Sequence, residues 1–487
     1  MVLRPTLLAL SGVTALTAGC AVGPDYHRPE APVAAHYVDA RGAVGQGRAV
    51  LPAEHVTWWK TFDDPLLAQL VTAALEQNLD IAQAAARVSQ AKAGVAGAEG
   101  ALLPMGAVSA SGARVQQSLE DPLGRLLSAH PGYDRWGKSF SADLSASWEL
   151  DLFGGLRRER DASVADYQAS EAGASAVRLA VVGQVADLYM TIRGIQARLA
   201  IAQRQVQTQQ ELLLKVGLLY QRGLAAQTQV RASEAAVAQA KAVVPAMEAG
   251  LDAAMNAMDV MLGAPPGTYR SQFAGEAHIP VTPKISSVGS PADLLWRRPD
   301  LIAAERRLAA TNARIGAAMA EYYPTFSLSA LVGSASTLSA GNLFSGDASH
   351  MAGVLGLRWR LFDFQRIDAQ IALAKGQDSE SLAAYKQAVL RATEDVETAF
   401  SAVLNREEIS QALLQGEDSL ERVQQSAEAA YRRGAASRID VLRAEESVLR
   451  MADARAWAQA ESARAAVAVF KALGGGWQPE PATLAYR

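Results

Sequence analysis

The sequence predicts a mainly α-helical, internally duplicated chain that lends four strands to a transmembrane β-barrel closed only by further copies of itself. Three observations predict this class. Long stretches repeat apolar residues at helical spacing, four short stretches alternate strictly between apolar and polar residues, and the second half of the chain rewrites the first. Strict alternation is the mark of a strand with one greasy and one wet face, because successive side chains of a strand point to opposite sides.

The 487 residues are 50% hydrophobic and 20% charged, enough apolar matter for a large core and far from a disordered composition. A net charge of -4 gives no electrostatic reason for a nucleic-acid partner. At the N-terminus, Arg4, an apolar run from Leu7 to Leu16 and the small residues Ala18 and Gly19 form a signal peptide, 1–19. "LTAGC" then places the chain's single cysteine, Cys20, directly after the small residues, as in a bacterial lipobox. The mature chain therefore starts at an acylated Cys20, and the covalent lipid anchors it. Ala21 resembles the outer-membrane address of lipoproteins. No later run of about 18 uncharged apolar residues follows, so any span must be made of strands in a closed barrel.

"YQRGLAAQTQV" at 220 returns as "YRRGAASRIDV" at 431, an offset of 211, while "QNLDIAQAAARVSQAKAG" from Gln77 lies over "RRPDLIAAERRLAATNAR" from Arg297 at an offset of 220. The change of offset is taken up between the strands, where loops vary in length. The repeats cover 62–262 and 291–473. They are preceded by an extended lipid-anchored segment, 20–61, joined by a Pro-rich linker, 263–290, and followed by a tail, 474–487.

Each repeat reads helix, strand, loop, strand, very long helix, tight turn, helix. The boundaries are 62–103, 105–116, 117–138, 139–153, 155–220, 221–227 and 228–262 in the first, and 291–322, 324–334, 335–350, 351–362, 365–431, 432–436 and 437–472 in the second. Pro104 and Pro324 stand where helix must become strand. In 155–220, the residues Val181, Val185, Leu188, Ile192, Ile195, Leu199, Ala202, Val206, Leu213, Val216 and Tyr220 keep nearly a 3.5-residue period, a seam for lateral packing along a roughly 100 Å helix. Gly173, Gly183 and Gly194 let neighbouring helices approach closely, and Pro245 should kink the helix after the first turn.

In "SFSADLSASWELDLF", Phe140, Ala142, Leu144, Ala146, Trp148, Leu150 and Leu152 oppose Ser141, Asp143, Ser145, Ser147, Glu149 and Asp151. With strands of about 10 to 13 residues, Trp148 and Trp359 sit where an aromatic belt meets the membrane interface, and Glu149, Asp151, Arg358 and Arg360 face a watery lumen. Four strands cannot close a barrel, so several copies must share one, and three would supply about twelve strands. A soluble sandwich burying the same face would need more strands than two separated hairpins provide.

These residues together resemble a known family. "CAVGPDYHRPEAP", "RRPDLIAAERRLAATNARIGAAMAEYYPTFSLS" and "SASWELDLFGGLRR" are similar to TolC-type outer-membrane efflux channels, in the OprM- and NodT-like lipoprotein branch found in tripartite pumps of the resistance-nodulation-division type. The resemblance covers nearly the whole chain. It implies a homotrimer with a twelve-stranded barrel in the outer membrane of a Gram-negative cell, continued by an α-helical barrel across the periplasm, with the 263–290 linker in an equatorial band. It also implies two partners, a periplasmic membrane-fusion adaptor and an inner-membrane transporter, and multidrug efflux as the activity. Type I protein secretion, and a surface-anchored helical stalk that transports nothing, are the alternatives.

Under the resemblance, the helix turns lie at the periplasmic tip, where the adaptor docks, and correspond to Arg222, Gly223, Leu224, Arg433, Gly434 and Ala435. Arg222 and Arg433 read equally as solvated tip residues, while Gly223 and Gly434 supply positive φ. The family often lines the closed aperture with acids just after the second turn. Asp440 matches such a place, with Arg438 beside it and Arg443 where some members carry a second acid. Asp440 also reads as the acid of a capping box begun by Ser437, and Arg443, one turn on, could pair with it.

Nothing points to an enzyme or to a cofactor beyond the lipid on Cys20. The six histidines fall in connections or expected loops without i, i+4 pairing, and no GxSxG or phosphate-binding loop occurs. Met255, Met258 and Met261 form a stripe that reads as core packing rather than a copper relay.

Overall fold

The computed structural model describes residues 21–34, 37, 56–275, 278–283 and 291–477, so the signal segment, Cys20, part of the linker and most of the tail lie outside the described residues. In chain order the elements are α1 (Pro65–Gln77), α2 (Leu79–Ala101), β1 (Met105–Gln116), α3 (Pro122–Ser128), β2 (Trp136–Leu150), α4 (Gly155–Gln221) and α5 (Gln227–Met261). Then come α6 (Leu294–Arg297), α7 (Pro299–Ala320), β3 (Thr325–Ser336), β4 (Ser349–Arg358), α8 (Phe364–Arg432) and α9 (Arg438–Ala472).

The differences from the sequence reading have local causes. The helix expected over 62–103 breaks at Asn78, whose Oδ1 accepts from the amides of Asp80 and Ile81 and so starts α2. The loop 117–138 contains α3, begun by the Asp121 carboxylate on the Gly124 amide with Pro122 at the first helical position. β4 starts two residues before, and ends four residues before, the expected limits, which brings His350 into a strand. Pro245 does not interrupt α5 and occupies an exposed position in it.

The described chain forms two compact units. The first holds Ser89–Ala169 and Ala304–Ala384 with the N-terminal residues to Pro29. Its four strands make one antiparallel sheet in the order β1-β2-β3-β4. The two hairpins share one register: Met105 opposite Ser147 becomes Thr325 opposite Arg358, an advance of 220 on one strand and 211 on the other. On one face Val108, Leu144, Val332 and Met351 line up across all four strands, 80%, 56%, 60% and 81% exposed. A strip of large apolar side chains left open across a whole sheet demands a nonaqueous neighbour.

On the opposite face Asp143 and His350, two strands apart, reach each other across Gly333, with Asp143 Oδ1 3.0 Å from His350 Nε2. Among the described residues Asp143 Oδ1 accepts no hydrogen bond, so this approach is a close contact only. A Cβ at Gly333 would stand 2.1 Å from that same oxygen and 2.8 Å from the Ala142 carbonyl oxygen. Gly333→Ala is therefore expected to cost about 2 kcal/mol, read as earlier thermal loss of strand signal in detergent.

Two expected lumen charges serve elsewhere. Asp151 lies beyond β2, where its carboxylate accepts from the Leu156 and Arg157 amides and pairs with the Arg157 side chain at 3.1 Å, holding the start of α4. Arg360, its counterpart beyond β4, holds Glu321 at 2.6 Å and Asp363 at 2.5 Å. Helix N-termini favour anions, which suits Asp151 before α4 and Asp363 before α8, and Arg360 holds the second of these, so both charges secure strand-to-helix junctions. The second junction is two residues shorter between its Trp and Leu-Phe, and turns with Phe362 at φ 67. In the same unit the segment 22–26 is strapped down, with Arg158 donating to the Val22 carbonyl and Tyr26 to Glu305.

The second unit holds Glu30–Val88, Ser170–Ala303 and Tyr385–Arg487. Trp58, 1% exposed, stacks on Phe470 at 5.1 Å. Within this unit the seam of α4 is buried at Val181, Val185, Ile192 and Ala202, widened by Val182, Ala186, Tyr189 and Met190, while Tyr220 is exposed. Gly194 faces Ala460 so closely that a Cβ there would lie 2.6 Å from the alanine methyl, and Gly183 lies against Lys471. In the first repeat the Asn78 amide donates to the Met261 carbonyl, and at the matching place Arg298 donates to the Ala472 carbonyl. Met255, Met258 and Met261 are buried, as core packing requires.

Candidate functional site

The two helix turns close identically. Leu224 N–H donates to the Leu219 carbonyl at 2.8 Å and Gly223 N–H to that of Tyr220 at 2.9 Å. Ala435 and Gly434 repeat this on Ala430 and Tyr431, both at 2.9 Å. Gly223 at φ 70 and Gly434 at φ 76 take the left-handed conformation that this closure needs, with open space around both Cα atoms. Arg222, Leu224, Arg433 and Ala435 are exposed, Leu224 by 71%, and the Arg433 guanidinium donates to the Ala429 carbonyl.

Past the turns the repeats diverge in chemistry. Ser437 caps α9, its Oγ accepting from the Asp440 amide at 3.2 Å while Asp440 Oδ2 accepts from the Ser437 amide at 2.9 Å and hydroxyl at 2.7 Å. Ser437's hydroxyl and amide hold the Asp440 carboxyl below the usual carboxylate range, and the Arg443 charge adds to this. Among the described residues Arg443 makes no ion pair; the Asp440 carboxylate is engaged by Ser437. In the first repeat Ala226 and Gln229 replace the pair, leaving one bond of 3.3 Å.

Arg438 is the centre of charge here. Its guanidinium grips Glu211 of α4 with two parallel bonds, 2.9 and 3.0 Å, and lies 3.6 Å from Glu428 of α8. Arg438's hydrogen bonds hold the Glu211 carboxyl below its ordinary value, and the same bonds raise the arginine. Glu211 and Glu428 were not legible as partners, since only the packing of α4 and α8 against α9 brings them together. Their contact ends a ladder between α4 and α9, formed by Asp187 with Arg464, Arg198 with Asp453, Arg204 with Glu445 and Glu211 with Arg438. Each partly exposed rung contributes little. The signs are complementary rung by rung, however, so one register satisfies all four. The matching helix α5 has its Arg231 paired inside the helix with Glu234.

Trp148 and Trp359 are 37% and 49% exposed. Each indole N–H donates to a carbonyl just past the helix that leads into its hairpin, Leu102 after α2 at 2.9 Å and Tyr322 after α7 at 3.0 Å. An indole with an apolar body outward and its N–H satisfied inward suits a membrane interface. Among the described residues no helix is long and apolar enough to cross a membrane, and no cluster of metal-ligating side chains occurs.

Comparison with known proteins adds the family. The profile described as "Outer membrane efflux protein" matches residues 70–264 and 291–475. The chain is 33% identical over 485 residues to the pyoverdine export outer membrane protein OpmQ of Pseudomonas putida, covering 98% of this chain and 97% of that protein. It is 30% identical over 496 residues to the outer membrane protein OprJ of Pseudomonas aeruginosa, covering 99% of each. Among solved structures, the outer-membrane channel OprN superposes with a TM-score of 0.81 at 32% identity, over 94% of this chain and 100% of that one.

Proposed function

Because the chain belongs to the outer membrane efflux protein family, we propose that it is the outer-membrane channel of a tripartite efflux pump, a passive duct through which drugs and other toxic small molecules leave a Gram-negative cell. The single observation that carries this reading is the apolar face of the β1–β4 sheet, exposed across every strand of one copy. Lipid is the neighbour such a face demands, and strands can stay in lipid only inside a closed barrel. Three copies, each giving four strands, form that barrel; Trp148 and Trp359 lie at its interface, and a lipid on Cys20 adds the anchor.

The turns at Gly223 and Gly434 receive the periplasmic adaptor, which links the channel to an inner-membrane transporter. At rest Arg438 latches α9 to α4 and α8, while the Ser437–Asp440 cap fixes the first turn of α9 and thereby aims Arg438. Adaptor docking draws the tips into a second packing and releases the latch. The duct has no catalytic task.

The test is conductance. The purified full chain in planar bilayers is expected to give discrete ion-conducting steps, and cells lacking it to accumulate an exported dye. A detergent-free, water-soluble monomer that never conducts would overturn the reading in favour of a stalk.

A further inference from the structure

In β1, β2 and β3 the even-numbered residues share the face of Val108, Leu144 and Val332, and in β4 the odd-numbered ones share that of Met351. Of all these residues only Arg114 and Lys138 are charged, and the two stand directly opposite each other on β1 and β2. Like charges opposed on neighbouring strands repel, and a cation on a lipid-facing strand costs more the deeper it lies. An anion between them removes both costs. We propose that Arg114 and Lys138 hold the phosphate of a phosphorylated glycolipid in the outer leaflet of the membrane. The proposal rests on the reading that this face lies in lipid; what it adds is a headgroup site at one end of it.

Depth along the strands agrees. Trp148 stands at the end of β2 nearest α2 and α4, and Trp136 is on the same face at the other end. With about 3.4 Å per residue and a tilt near 40°, the two indoles lie roughly 30 Å apart along the membrane normal, and Lys138 lies roughly 26 Å from Trp148, at the far edge of an apolar band about 25 Å tall. Trp136, 46% exposed, therefore belongs to a second aromatic belt on the loop side of the sheet. Arg114 and Lys138 sit where acyl chains give way to headgroups. Next in line on the same face of β2 come Phe140, Ala142 and Leu144, surface for the acyl chains of the same molecule.

Both cations are open to an anion. Their side chains are exposed, and among the described residues neither makes an ion pair or a hydrogen bond. The Arg114 guanidinium lies over the Trp136 ring, 4.8 Å from its centre, a contact that uses the plane of the fork and leaves its N–H edge for a phosphate. Two acids of the adjoining loop are engaged elsewhere: Asp134 accepts from the Trp136 amide, and Asp121 from the Gly124 amide and the Gln117 side chain. The second hairpin carries no such pair. At the same offsets of 220 and 211 the matching positions are Ser334 and Ser349, again directly opposed. One register thus accepts an uncharged pair, so folding of the hairpin does not account for the cations.

The test titrates the full chain, purified in detergent, with lipid A, a bisphosphorylated glycolipid, and counts bound lipid by native mass spectrometry. Wild type is expected to bind it at least about tenfold more tightly than the same lipid stripped of phosphate, a comparison that needs no variant. Arg114→Ser with Lys138→Ser, which copies the second hairpin, should weaken binding roughly thirtyfold, the equivalent of about 2 kcal/mol for two basic residues at an anionic surface. Arg125→Ser, an exposed cation of the adjoining loop, should change it less than about twofold. Equal binding of the stripped lipid, undiminished binding in the double variant or an equal loss in Arg125→Ser overturns the site and shows cations that only reach toward water. Inorganic phosphate that displaces the lipid at equal concentration overturns the lipid in favour of a free anion. Wild-type conductance in planar bilayers, measured alongside, persists in all of these outcomes and leaves the channel reading standing. A chain that neither conducts nor needs detergent overturns both.

Discussion

Arg438→Glu is expected to raise the mean single-channel conductance in planar bilayers and to lengthen openings. The substitution removes the two-bond grip on Glu211 and sets a third carboxylate beside Glu211 and Glu428. Arg438 and Glu211 are each about a third exposed, so solvent screens them and the full value of a buried pair does not apply. A loss of about 1.4 kcal/mol in the closed packing, equivalent to a tenfold rise in the open-to-closed ratio, is the expected size once like-charge repulsion is added. Arg438→Lys keeps the charge but loses the planar fork and should fall between wild type and Arg438→Glu. Unaltered conductance in Arg438→Glu would remove the residue from the gate.

The same latch sets a pH dependence whose sign follows from Glu211. Its folded pKa lies below the ordinary 4.5, so the latch is fully present above that value and is lost as pH falls through the depressed one. Conductance should therefore stay flat from pH 7 to about pH 5 and climb only in stronger acid. In Glu211→Gln the climb should vanish and the open fraction should already be raised at pH 7. Asp440→Asn, by contrast, changes a carboxylate already used by Ser437, and should alter helix capping more than conductance.

Arg298→Met is expected to destabilise the second unit by about 3 kcal/mol, a loss visible as a lower guanidinium midpoint and faster proteolysis near 298. The Arg298 side chain is only 12% exposed. It pairs with Asp300 at 2.8 Å and Asp395 at 3.0 Å and donates to the carbonyls of Ala392 and Ala472. A methionine fills the volume but leaves two carbonyls and two carboxylates without their donor. Asn78→Ala, at the matching place of the first repeat, should cost about 1 to 2 kcal/mol, because one carbonyl and one helix start are at stake. Equal costs at the two places would show that Arg298 adds nothing beyond a cap.

The strands and the long helices were legible because their information is local. Alternation at 139–153 names the two faces of β2 without any partner, and the Gly-centred turns announce themselves by residue type. Duplication, too, is a property of the string. The sequence could likewise place Ser437 and Asp440 in one capping box, since the contact spans three residues.

What tertiary structure decided is every pairing between distant residues. Arg438 meets Glu211 across 227 positions and Arg298 meets Ala472 across 174, and no spacing rule reaches that far. Asp151 and Arg360 looked like lumen charges because alternation was continued past the true strand ends, where helix starts had a stronger claim on them. By itself the sequence determined which residues repel water and where the chain must turn, because those follow from side-chain chemistry and backbone sterics. Only folding decided which charges lie together and which sheet edges stay open, because both depend on the register in which separate helices and strands pack.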